Sequence, residues 1–318
     1  MATQKQDTLA GFTWNDYLQT LVESEGTLTR VAERLAAQRG FDDDVGSIER
    51  ALRRLRTRGL QPGGKWGARL LALFGLPESV ETRLRWMAAY HSRFTDLPVG
   101  VCEDLVRLWD HPPTTDQRAS RAWLSLARAS IALRKNDHAE ARLHLDALGK
   151  EETLPIEARI EALLVRAFLA SKAEPSAVRA LLDGVEPLLS EVTRPDERAC
   201  LRARFVDQRA YALNRRAEYA GAEALYRALP EADAPPFVLC RRANGLAYAR
   251  WKQGHVDEAA ALSREAARHA GDGGHVRLRV MALAMHARID PREQSAHARA
   301  LAMSQRLEDE LLLFRLSR

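Results

Sequence analysis

The sequence predicts an all-α protein: a small N-terminal helical domain followed by an α-solenoid, a long stack of helix pairs. Three observations carry this. Ala, Leu and Arg dominate while β-branched residues are scarce, which is the composition of helices rather than sheets. Apolar residues recur at i, i+3, i+4 and i+7 along much of the chain. From Cys102 onward, a small residue returns at a nearly constant interval. The 318 residues exceed the usual single-domain size of roughly 100–200, as two domains or an elongated array would.

Residues 1–11 carry no apolar period and are expected to form a flexible N-terminus. The first domain is expected over 12–76. Trp14, Tyr17, Leu18, Leu21 and Val22 mark its first helix, and Leu28, Val31, Ala32, Leu35 and Ala36 its second. Ile48, Ala51, Leu52 and Leu55 mark a third, with aspartates at 42–44 before its start and Gly59 after its end. "KWGARLLALFG" reads as a fourth. The array is expected over 77–318, with small residues of the second helix in each pair at Cys102, Ala141, Ala180, Ala222, Ala259 and Ala296, in steps of 39, 39, 42, 37 and 37.

The unit "ANGLAYARWKQGHVDEAAALSREA" resembles the tetratricopeptide repeat (TPR). Gly254 stands at its turn, Val256 two residues later, and Ala259 and Ala266 at the family's small positions. "ALNRRAEYAGAEALYRAL" matches similarly through Tyr219, Ala222 and Tyr226. The resemblance implies a concave groove lined by the first helix of each pair. On that register Arg204, Asp207, Tyr211, Asn214 and Arg215 face the groove in one repeat, and Arg241, Asn244, Tyr248, Trp251 and Lys252 in the next. Asn pairs with an extended backbone, Arg and Lys with carboxylates, and Tyr and Trp offer rigid area, a mixture suited to an acidic or C-terminal peptide, or to a protein ligand.

The net charge of +5 is modest, yet Ile48 to Arg69 alone carries +6. "GTLTRVAERLAAQRGFDDDVGSIERALRRLRTRGL" resembles the second and third helices of bacterial helix-turn-helix domains. That resemblance implies that Ser47, Arg50, Arg53 and Arg54, with Glu49, face a major groove, while Arg56, Arg58 and Lys65 hold phosphates, with "GLQPGGKWG" as a short wing. A homodimer on double-stranded DNA would follow. The competing reading is a solvated basic face whose aspartates only stabilise the helix start. The ten-residue connection "AQRGFDDDVG", longer than the usual turn, favours that second reading.

No phosphate loop, metalloprotease motif, nucleophile elbow or paired-cysteine spacing occurs, so no catalytic residue, metal or cofactor is expected. Cys102, Cys200 and Cys240 are odd in number and far apart, as in a reducing cytoplasm. Neither an apolar leader nor an apolar run near the roughly 18 residues of a membrane span is present. Two readings follow. One is a non-enzymatic regulator with a DNA-binding domain coupled to a peptide-sensing array, similar in layout to the peptide-pheromone-responsive regulators. The other is a scaffold or adaptor that binds partner proteins through its groove without nucleic acid.

Overall fold

The computed structural model describes residues 11–38, 43–149, 151–171 and 175–317, and all regular elements among them are helical. Two compact units emerge: one holds the chain up to Met87 together with Glu103–Leu124, the other Ala88–Cys102 and Ser125 onward. The sequence boundary near residue 76 therefore moves downstream, and a later segment joins the first unit.

The first unit is built on α1 (Trp14–Glu25), α2 (Leu28–Ala36), α3 (Val45–Arg56) and α4 (Gly64–Phe74). Thr13 starts α1 with a capping box: its hydroxyl accepts from the Asp16 amide while the Asp16 carboxylate accepts from the Thr13 amide. Asp44 caps α3 by accepting from the Ser47 amide at 3.0 Å. Of the apolar positions read from the sequence, Trp14, Tyr17, Leu18, Leu21, Val31, Ala32, Leu35, Ile48, Ala51, Leu52 and Leu55 are buried, while Val22, Leu28 and Ala36 are half-buried.

The expected wing is not one. Gly63 and Gly67 lie flat beneath the Trp14 ring, where a Cβ would stand only 2.2 and 2.6 Å from ring carbons, and Trp14 Nε1 donates to the Gln61 carbonyl at 2.9 Å. The Pro-Gly-Gly turn exists to admit a buried indole and to launch α4. Helices α5 (Glu78–Ala88), α6 (Val99–Trp109) and α7 (Arg118–Arg134) follow, the last two contributing to both units.

The second unit is a succession of helices in which sequential neighbours pack, an arrangement compatible with a helical repeat. They are α8 (His138–Asp146), α9 (Ile156–Ala170), α10 (Pro175–Leu188), α11 (Pro195–Arg215), α12 (Tyr219–Arg227), α13 (Pro236–Lys252), α14 (Val256–Asp272), α15 (Val276–Ile289), α16 (Gln294–Arg306) and α17 (Glu310–Leu316). Cys102, Ala141, Ala222, Ala259 and Ala296 are buried, as the period requires. Ala180 is exposed instead. In α10 the inward stripe is Val178, Leu182, Val185 and Leu188, so the helix faces the core with larger residues and the small-residue register slips there. Gly245 of α13 meets the Tyr226 ring of α12, and a Cβ would stand 2.1 Å from it, so only glycine permits this approach. No helix among the described residues is long and apolar enough to cross a membrane.

Candidate functional site

In the first unit, α3 buries one stripe and exposes the other. Arg50, Arg53 and Arg54 are exposed along α3, and Arg58 and Lys65 are exposed beyond it. Arg53 is held by Glu49 at 2.5 Å, whereas Arg50 donates to Ser47 Oγ and Arg58 to the Pro62 carbonyl, neither of which neutralises a charge. Arg56 is half-buried, with an Nε that finds no hydrogen-bond partner. Of the three aspartates at 42–44, Asp42 lies outside the described residues. Asp43 is tied to Arg69 at 2.9 Å and to Lys65 at 3.4 Å, and the Arg69 hydrogen bond leads in holding its carboxyl below the usual range. Asp44 is occupied by Ser47.

In the second unit, the residues expected to line a groove divide into two layers by burial. Arg204 and Arg241, which the repeat register would leave open for a ligand, are already engaged. They share one phenol with Arg277. The Tyr90 oxygen accepts from Arg241 at 2.9 Å and from Arg277 at 2.6 Å, and the guanidinium carbons of Arg204, Arg241 and Arg277 stand 4.3, 5.3 and 5.4 Å from its ring centroid. Carboxylates complete the cluster: Glu161 pairs with Arg204, Asp207 with Arg241 at 2.9 Å, and Asp309 with Arg277 at 2.7 Å and Arg134 at 3.2 Å. Asp207 also accepts from the Tyr226 hydroxyl.

Tyr90 comes from the segment between α5 and α6, which is anchored at several points. The Tyr90 amide donates to Glu161 at 3.2 Å, the Asp96 carboxylate accepts the Arg277 amide at 2.7 Å, and Arg134 donates to the Leu97 carbonyl at 2.7 Å. A stretch of this chain thus sits where the sequence expected a ligand for Arg204, Asp207 and Arg241.

Burial alone would push the Tyr90 phenol up, but the guanidiniums of Arg277, Arg241 and Arg204 outweigh it and hold its pKa down to about 8. The fold therefore favours the phenolate, while the unfolded chain titrates at about 10. The stability conferred by this shift is absent at neutral pH, grows as pH rises through 8, and is complete above the unfolded value. Between pH 7 and 9, the wild type should gain about 1 kcal/mol over Tyr90→Phe in urea unfolding, in step with a tyrosinate ultraviolet band. A constant gap between the two proteins would refute the placement of three cations on this phenol.

The second layer is accessible. Tyr211 is 43% exposed, Arg215 and Lys252 are exposed, and Asn214, Asn244, Tyr248 and Trp251 are half-buried. The Lys252 ammonium lies 4.1 Å from the Trp251 centroid, and Trp251 meets Tyr248 edge to face at 6.1 Å. Burial, with Tyr219 and Tyr211 close by, raises the Tyr248 phenol. Arg215 donates to the Ser171 carbonyl. The amide oxygens of Asn214 and Asn244 are buried without a hydrogen-bond partner.

Comparison with known proteins finds no matching family model, curated protein or solved structure. The site rests on its own geometry. Among the described residues, no group of His, Cys, Asp and Glu is arranged to hold a metal ion.

Sequence reasoning missed Tyr90, Glu161, Arg134, Arg277 and Asp309. The signal for part of the cluster was present: Arg204, Arg241 and Arg277 recur at steps of 37 and 36 on three alternate helices. An arginine ladder on a buried face requires acceptors, and those acceptors come from remote stretches of chain.

Proposed function

We propose that the chain is a non-enzymatic regulator whose first unit, a helix-turn-helix variant, binds double-stranded DNA through α3. Its second unit, a TPR-like array, would present the outer groove layer to a peptide or protein. The observation that carries the DNA half is the exposed stripe of Arg50, Arg53 and Arg54 on α3, continued by Arg58, opposite a fully buried stripe. The tie of Asp43 to Arg69 and Lys65 removes one of the acids that would repel phosphate. The peptide half is supported by the partnerless oxygens of Asn214 and Asn244, beside an aromatic pair and exposed cations. A peptide N–H reaching either oxygen would recover the cost of its burial.

Titration of a random duplex, read by fluorescence anisotropy, tests the reading. If Arg50, Arg53, Arg54, Arg58 and Lys65 each neutralise a phosphate, log affinity should fall against log salt with a slope of about −4.5. Arg53→Glu with Arg54→Glu should abolish binding while helical circular dichroism is unchanged. An absence of binding even at low salt would leave the adaptor reading, which the Glu49 clamp on Arg53 favours.

A further inference from the structure

The second unit holds a cavity of about 460 Å³ outside the groove, walled by α14, α15 and α16. That volume lies within the range of small-molecule sites. Four arginines line it: Arg264 and Arg268 from α14, Arg279 from α15 and Arg299 from α16. Arg268 pairs loosely with Asp272 at 3.5 Å. Arg264, Arg279 and Arg299 make no ion pair among the described residues, and the Arg279 Nε is buried without a hydrogen-bond partner. Only two carboxylates, Asp272 and Glu293, reach the lining, so the cavity carries a net positive charge.

The buried wall is polar too. Ser263 donates its one hydroxyl proton to the Ala260 carbonyl at 2.8 Å, so the contact from His286 Nδ1 to Ser263 Oγ at 2.9 Å must be donated by the imidazole. His286 is thereby fixed in one orientation, and both residues are buried. A merely solvated basic face would spread its arginines over convex surface. Here three guanidiniums that make no ion pair among the described residues, from three successive helices, converge on one concavity against a hydrogen-bonded wall.

We propose that this cavity is a binding site for a small organic polyanion bearing at least two phosphoryl groups. Guanidinium forks match phosphate oxygens two at a time, and three of them on separate helices call for more than one phosphoryl group. A ligand bridging α14, α15 and α16 would clamp the last helices of the array together. This site is independent of α3 and of the groove.

The probes are inorganic pyrophosphate and ADP, titrated calorimetrically into the full chain at low ionic strength, with inorganic phosphate and AMP as weaker comparators. Both diphosphates should bind and raise the melting temperature. Arg279→Gln and Arg299→Gln should each weaken them by about tenfold, the loss of one charge-assisted contact. Arg299 is exposed, so its variant keeps the test valid if Arg279→Gln fails to fold. Arg306→Gln, an exposed arginine of α16 outside the cavity, should leave affinity unchanged. Lack of binding at millimolar probe, or an equal loss in Arg306→Gln, overturns the proposal.

Discussion

Asp309→Ala should lower the unfolding free energy by about 3–5 kcal/mol, the cost of leaving buried charges without their partner. The Asp309 carboxylate is fully buried and serves three groups at once. It takes Arg277 at 2.7 Å and Arg134 at 3.2 Å on one oxygen, and caps α17 by accepting the Leu312 amide at 3.0 Å on the other. Burial would push its pKa up, yet Arg277 and then Arg134 hold it below the usual carboxylate range, so it is ionised at neutral pH. Asp309→Asn keeps the shape and one carbonyl acceptor while losing the charge. It should therefore cost less than the alanine, and the difference measures what the cap and packing contribute. Urea unfolding of the three proteins is the measurement, and a change below about 1 kcal/mol for Asp309→Ala would contradict the buried pairing.

Ala259→Arg is expected to cost about 3 kcal/mol or more, because it both overpacks a filled contact and buries a cation. Ala259 is completely covered, in a cluster with Ala247, Ala260 and Ile289 against Trp251 and Met285. Ala180→Arg provides the contrast, since its position is exposed and the change should stay within about 0.5 kcal/mol. Parallel thermal scans decide the matter: equal melting temperatures for the two arginine variants would mean that the α13–α14 contact is not packed as described.

Much of the local structure was legible in the sequence because local structure follows local pattern. The stripes of α1, α2 and α3 were visible as apolar spacing, and the buried Ala222, Ala259 and Ala296 as a recurring small residue. Where the pattern failed, a side-chain packing choice overrode it. Ala180 lost its expected place because α10 packs through Val178, Leu182 and Val185. The Pro-Gly-Gly turn read as a wing because nothing local shows that Trp14, some fifty residues earlier, needs two glycines beneath its ring.

The candidate site was legible by halves for the same reason. The outer layer, with Tyr248, Trp251 and Lys252 within one helix turn or so, is a local grouping. The inner layer joins Tyr90 to arginines more than a hundred residues away. No periodicity encodes which segment of chain will fill a groove. The buried arginines only announce that something must.

Tyr90 also changes how the second unit can come apart. In a repeat stack whose members touch only their sequence neighbours, stability is a sum of adjacent terms, and the ends can fray without disturbing the middle. Here a single ring is shared by guanidiniums from α11, α13 and α15, and Asp309 ties α15 to Arg134 of α7. Opening any one of these helices strands charges on the others. Amide hydrogens of α11, α13 and α15 should accordingly exchange as one block, through one shared opening event.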